Sequence, residues 1–304
     1  MSLSEIESAT ESEQVEQSAG NLRREAWRRL RRDPVAIVGF CLIAFFVLVA
    51  ILAPLLAPYA PDARPGSGQI TPTNIPGPSA EHWFGLDASG RDELSRVIYG
   101  ARQSLLVGVV AMLLGMIGGL SLGVLAGAFG RWVDSLVMRI VDVMLSIPGL
   151  LMAIAIAALL GASLTSVMIA IAIVNVPVFA RLLRGQMLSQ RQSDYVLAAE
   201  SLGVRRRSIV FGHILPNSIS PVIVQATLTL ATAIIEAAAL SFLGLGSADP
   251  RVPEWGRMLA DTQRYLASAP HLALFPGIAI VIAALGFTML GERLREAIDP
   301  KYRR

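Results

Sequence analysis

Lysine is almost missing from this 304-residue chain: of its 26 basic residues all but Lys301 are arginine. A Walker-type nucleotide loop needs a lysine behind a glycine-rich turn, and Lys301 follows Asp299-Pro300 in the C-terminal tail, so the chain has no such ATP site. Cysteine is as scarce. The lone Cys41 lies inside an apolar run, which excludes a disulfide scaffold and a paired-thiol metal site. The three histidines, His82, His213 and His271, fall in different loops with no HExxH or other ligand spacing between them. Serine is plentiful, but no GxSxG elbow accompanies it. The sequence therefore points away from an enzyme and from any cofactor bound by this chain.

Charge is short as well. Charged residues make up 16% of the chain and hydrophobic ones 54%, with a mean hydropathy of +0.58; a soluble protein carries about 25% charged residues. The apolar excess sits in long uncharged runs, which makes lipid the solvent for much of the chain. Val35 to Ala57 forms the first span, and residues 103–130 form another. Residues 143–180 are about twice as long as one crossing needs, so they divide at Gly161-Ala162-Ser163 into two helices. A fifth span runs from about Pro216-Asn217 to Leu245, and a sixth from Leu272 to Gly291. The expected fold class is an all-α polytopic membrane protein with six transmembrane helices.

The first twenty residues hold five Glu, five Ser and no basic residue, so they do not form a secretory signal and read as a disordered acidic tail. With the N-terminus inside, 19 basic residues fall in inner segments and seven in outer ones, which predicts that both termini are cytoplasmic. The resulting outline is an acidic tail over 1–22, a basic juxtamembrane segment over 23–34, the first span over 35–57 and an extracytoplasmic loop over 58–102. A membrane core over 103–292 contains a cytoplasmic loop at 184–216, and a basic tail covers 293–304.

Patterns within these segments are more specific. Gly115, Gly119, Gly123 and Gly127 recur at every fourth position and strip one helix face of side chain, which suits close packing within the subunit better than a path lining. Leu94, Val97, Ile98 and Ala101 predict a short helix over 92–101 lying on the outer surface. Trp255, Met258, Leu259, Thr262 and Leu266 predict another behind Pro253. Both suit either an interfacial cap or a docking surface. In the inner loop, Ser193 and Asp194 open a helix and Gly203 stops it, with Tyr195, Ala198, Ala199 and Leu202 on one face. A helix of about nine residues is marginal alone in water, so this one needs a partner surface.

A proton- or ion-driven carrier should keep ionisable groups inside its helices. The one candidate, Glu236, lies 19 residues past Asn217, roughly 29 Å along a helix and near the outer interface. It reads as a snorkelling or paired carboxylate, a candidate for an outer gate rather than a proton relay. With neither a fuel site nor a relay in the chain, the driving energy should come from another protein. A stand-alone carrier or channel is the alternative.

Residues 195–216, YVLAAESLGVRRRSIVFGHILP, resemble the EAA loop of ABC importer permeases. Ala198, Ala199, Gly203, Leu215 and Pro216 occupy motif positions, while Leu197 stands in place of the motif Glu and His213 in place of Ile. Residues 82–105, 236–246 and 253–261 are similar to signatures of the C-type subunit of dipeptide, oligopeptide and nickel importers. The resemblance implies a type I importer fold of the methionine-permease kind. It also implies a homologous B-type permease, two ATPases that bind the ATP and magnesium, and an extracytoplasmic substrate-binding protein. The setting would be the bacterial cytoplasmic membrane, with no nucleic acid involved. Peptides are the implied cargo; nickel, haem or glutathione-like solutes would use the same architecture.

Overall fold

The computed structural model describes residues 28–71 and 74–298. The acidic segment 1–22, Arg23, Arg24, Lys301, Arg303 and Arg304 lie outside the described residues. The chain is a helical bundle, and the only extended pairing among the described residues is two isolated bridges, Thr71 with Asn74 and Leu86 with Asp92. In chain order the helices are α1 (Pro34–Leu56), α2 (Glu93–Ala128), α3 (Arg131–Ser146), α4 (Gly149–Leu160) and α5 (Leu164–Gln190). Then come α6 (Asp194–Ser201), α7 (Arg206–Ile209), a π-turn (Val210–Ile214), α8 (Leu215–Ser218), α9 (Ser220–Phe242), α10 (Trp255–Thr262) and α11 (His271–Ile298).

Helices α1, α2, α5, α9 and α11 are each long and apolar enough to cross a membrane. α3 and α4 reach that length and apolarity only as a pair, bent by 92° at their junction, which makes five crossings, or six if the pair forms one. The residues that end each helix explain where the crossings start. The Asp33 carboxylate accepts from the Ala36 N–H at 2.9 Å and Pro34 sits in the first turn of α1. Ser163 caps α5 by accepting from the Ser166 N–H, after Gly161 turns the chain at φ +87°. We call the end of the bundle where α1 starts the N-terminal face; segments 57–92 and 243–270 lie at the opposite face.

Three expectations are corrected. Residues 92–101 are not a separate surface helix but the first turns of α2, which runs unbroken for 36 residues. Arg102 ends an apolar run, yet nothing in Arg102-Gln103-Ser104 ends a helix. At 1.5 Å per residue α2 is about 54 Å long, so it extends well beyond a hydrocarbon core of about 30 Å. Second, the span begun at residue 143 is interrupted at Ile147-Pro148, where proline has no N–H for a helix that would continue from α3. Asp134 and Asp142 of α3 pair with Arg184 and Arg181 of α5. Third, α5 continues past Ala180 to Gln190, so the first part of the predicted inner loop is helix.

The most extensive helix pair is α2 with α5. Gly115, Gly119, Gly123 and Gly127 all face α5, and at Gly119 a β-carbon would collide with the Phe179 Cβ and lie 2.6 Å from the Val176 carbonyl oxygen. The backbones touch because there is no side chain between them. We expect Gly119→Ala to cost about 1–3 kcal/mol through overpacking, read as a lower unfolding temperature in detergent. Gly185→Ala on α5, where a β-carbon meets open space, should be neutral or gain up to about 1 kcal/mol from helix propensity. Equal losses at the two positions would contradict this account of the contact.

Candidate functional site: a docking loop and a buried polar cluster

At the N-terminal face the chain between α5 and α9 folds into a small helical platform. α6 ends in a Schellman motif: the Val204 N–H donates to the Ala199 carbonyl at 3.1 Å and the Gly203 N–H to that of Glu200 at 3.0 Å. This geometry places Gly203 at φ +76°, in the left-handed region that favours glycine. Val196 of α6 and Ile209, Val210 and Ile214 beyond it are buried in the main apolar core, with Ala199 and Leu215 packed against them. Ahead of Pro216, which has no N–H to continue an α-helical ladder, the helix widens to a π-turn and the Leu215 N–H reaches the Val210 carbonyl.

The sequence-selected residues divide between two faces of this platform. Tyr195, Ala198, Gly203 and Pro216 are exposed, whereas Ala199 and Leu215 turn toward the bundle. The Tyr195 hydroxyl donates to Gln190 Oε1 at the end of α5 and accepts from Asn217 Nδ2 of α8. Arg206 donates to the Ala128 carbonyl at 3.1 Å, one of the unpaired carbonyls at the end of α2. The apolar turn Ile209-Val210-Phe211 divides, with Ile209 and Val210 buried and Phe211 exposed, and Val196, which no local pattern of the loop marks, is the anchor of α6. Leu197, Leu202 and Phe211 remain exposed, Leu202 at 83%.

At the opposite face, seven polar residues between His82 and Arg96 are buried. Asp92 caps α2: its Oδ2 accepts from the Ser95 N–H and hydroxyl at 2.8 and 2.7 Å, while Oδ1 meets His82 Nδ1 at 2.9 Å. The Tyr59 N–H donates to the same Ser95 hydroxyl at 3.1 Å. Asp87 holds the guanidinium of Arg91, with that of Arg96 at 3.6 Å. Both guanidinium groups donate to the carbonyl of Pro250, and Arg96, only 2% exposed, also reaches that of Pro61. The buried Trp255 of α10 donates through its ring N–H to the Val97 carbonyl at 3.0 Å and lies against Gly100, which has no side chain to block it. Of the apolar stripe read for 92–101, Leu94, Val97 and Ile98 are only half-buried and Ala101 enters the core, while the charged side is buried as well. The loops of His82 and His271 also meet, since a β-carbon at Gly85 would lie 2.8 Å from His271 Nε2. Glu236 sits within two turns of the end of α9, half-buried, with Oε2 shielded and unpaired among the described residues.

Residues 119–304, which contain the platform, α9 and α10, match the family of binding-protein-dependent transport system inner membrane components. The chain belongs to this family. It is a permease, a multi-pass subunit of an ABC importer in the inner membrane. Its residues 21–76 match the N-terminal transmembrane domain of oligopeptide transport permease C. Among its relatives, the dipeptide transport system permease protein DppC of Alkalihalophilus pseudofirmus is 51% identical, covering 91% of this permease and 90% of the relative. The glutathione transport system permease protein GsiD of Pectobacterium atrosepticum is 42% identical over 91% of each chain. The inward-facing MetNI methionine ABC transporter shares the fold, with a TM-score of 0.56 at 19% identity over 68% of the permease and 97% of that chain.

Two buried carboxyls at the opposite face, Glu254 and Glu93, should make the stability of the permease depend on pH. Glu254, at the start of α10, is 1% exposed and its Oε2 is unpaired among the described residues. Burial pushes this carboxyl from its ordinary 4.5 up to about 7. The folded permease then keeps a proton that the unfolded chain releases. The contribution of Glu254 should fall by up to about 3 kcal/mol as pH rises from 4.5 to about 7 and level off above, while Glu93, pushed by burial up to about 8, carries the loss of stability further. We expect Glu254→Gln to unfold with a smaller difference in melting temperature between pH 5 and pH 8 than the native permease. An unchanged difference would exclude Glu254 as a contributor.

Proposed function

We propose that this permease carries dipeptides across the bacterial cytoplasmic membrane as one half of a translocation path. A homologous B-type permease supplies the other half. The platform at 194–218 is the coupling element, seated in a groove of one of two ATPase subunits on the cytoplasmic side, so both termini are cytoplasmic. The observation that carries this reading is the platform itself: an anchored underside and an outer face that leaves Leu197, Leu202 and Phe211 in solvent. Exposed leucines on a rigid helical turn are a docking surface in want of a partner. The ATPases bind and hydrolyse ATP; this chain has no catalytic residue and binds no cofactor of its own. An extracytoplasmic binding protein delivers substrate at the opposite face.

In this mechanism ATP-driven closure of the ATPases moves the platform, and the bundle alternates between inward- and outward-open states. The motif glutamate of such loops is replaced here by Leu197, so docking relies on apolar contact rather than on a salt bridge at that position. The dipeptide reading is supported by the DppC relative at 51% identity. The GsiD relatives favour glutathione as the second reading, with identities of 42% and 46%.

Leu202→Asp should leave folding intact, because the side chain is 83% exposed, yet block co-purification of the ATPases and abolish ATP-driven uptake. Gly203→Val, which forces a β-branched residue into positive φ, should lower uptake by at least about tenfold, whereas Gly203→Asn should retain most of it. The chain alone in liposomes should move no solute. ATP-independent transport by the isolated chain, or normal uptake by Leu202→Asp, would overturn the assignment.

A further inference from the structure

The membrane-spanning α9 carries a polar stripe that the packing of this chain does not consume. Gln225, Thr229, Thr232 and Glu236 follow at i, i+4, i+7 and i+11, which places them within one narrow arc of the helix. One flank of α9 is committed to the interior, while Ile223 and Ile235 elsewhere on the helix are exposed. Ala226, Leu230 and Ile234 enter the main core, and Ala233, Ala237 and Leu240 enter a second core. Within the stripe Thr229 is buried, Gln225 and Glu236 are half-buried and Thr232 is exposed. Gln225 donates to the Thr229 hydroxyl at 3.2 Å and the Thr232 hydroxyl to the Thr229 carbonyl at 3.0 Å. Glu236 Oε2 has no hydrogen-bond partner among the described residues.

A stripe of this kind does not suit lipid. A carboxylate costs about 2.5–3.5 kcal/mol at the bilayer centre on insertion scales and less toward the end of α9 where Glu236 lies, and such groups face bundle interiors or water-filled cavities. The exposed large side chains of α1, by contrast, are all apolar, among them Phe40, Phe45, Leu48, Ile51 and Leu55. The two exposed surfaces therefore meet different surroundings. Lipid accounts for that of α1, whereas the polar arc of α9, which runs beside exposed Ile223 and Ile235, calls for a polar surrounding.

We propose that the α9 stripe lines the translocation path and that Glu236 recognises the cationic ammonium end of a passing substrate. This rests on the importer function proposed above. An ammonium group offers three donors and no acceptor, so it complements a carboxylate oxygen left without a donor. The match is a charge-assisted hydrogen bond, stronger than a neutral one. Glu236 lies six residues before the end of α9 at the opposite face, where a substrate released by a binding protein enters first. Thr232, Thr229 and Gln225 continue the polar surface along the helix, offering neutral hydroxyl and amide groups that let the substrate leave Glu236.

The test uses the assembled transporter in proteoliposomes, in a Cys41→Ser background because the native thiol is exposed. Gln225→Cys and Thr232→Cys should react with a hydrophilic, membrane-impermeant maleimide, and Phe45→Cys should not. Separately, uptake is compared for a dipeptide and its des-amino analogue, each preloaded on the binding protein. Glu236→Gln should lower dipeptide uptake relative to the des-amino analogue by at least about tenfold, the loss expected for one charge-assisted hydrogen bond. Glu236→Asp should restore most of that preference. Unreactive cysteines on α9 would overturn the path assignment, and an equal effect of Glu236→Gln on both substrates, or none, would overturn the recognition role. If the unmodified complex shows no ATP-driven uptake, the importer reading fails instead, and maleimide reactivity still decides whether the stripe meets water.

Discussion

Where α2 meets α5 there are no side chains on one of the two helices, and the rest of the bundle is arranged around that contact. Inside a membrane, apolar surface gains little by leaving lipid for protein, so association depends on how closely atoms can approach. Gly115, Gly119, Gly123 and Gly127 remove every obstacle on α2, and the backbone of α5 from Ala172 to Ala180 comes within contact of them. Contact at that range recovers dispersion along the length of two helices. The remaining spans, α1, α9 and α11, then pack around α2 or around one another.

Both functional ends are fastened to this pair. At the N-terminal face the platform is tied to the end of α2 by Arg206 on the Ala128 carbonyl, and to the end of α5 by Tyr195 on Gln190. Its apolar underside enters the same core as Phe179, Leu183 and Met187 of α5. At the opposite face the first turns of α2 project beyond the apolar span, and their charged side is sealed by loops. Asp92 gathers His82 and Ser95, while Arg91 and Arg96 reach the Pro250 carbonyl more than 150 positions away in sequence. Buried guanidinium groups tolerate such a place only when charge and hydrogen bonds surround them. The cluster thus makes two distant loops one cap and joins that cap to α2. The platform is thereby joined to the same helix, α2, whose first turns are held in the cap at the other face.

Much of this was legible from local sequence rules. Gly203 as a helix stop follows from its place after Leu202, and the Schellman bonds of Val204 and Gly203 give it a positive φ. The glycine spacing identified the smooth face of α2, though the spacing does not say which helix lies against it. The errors share one cause. Arg102 and the arginines after Ala180 were read as helix ends because they end apolar runs, yet a helix continues through charge wherever solvent, lipid headgroups or a carboxylate receives it. Asp142 and Asp134 do so for Arg181 and Arg184. The buried polar cluster between His82 and Arg96 is invisible to local rules for a related reason: burial of its charges depends on partners in other loops, and no local pattern encodes those partners.

The sequence by itself determined that this is a lipid-solvated, multi-span chain without a nucleotide loop, and it determined where the platform helix starts and stops. Those properties follow from composition and from interactions within a few residues, which the linear order contains. Only the tertiary structure decided that α2 begins in a buried ionic cap, that α3 and α4 meet at a sharp bend, that Val196 rather than Tyr195 anchors the platform, and that the polar residues along one arc of α9 differ in exposure, from buried Thr229 to exposed Thr232. Each of these depends on which surfaces meet across long sequence separations. That is settled by packing and by the pairing of buried charge.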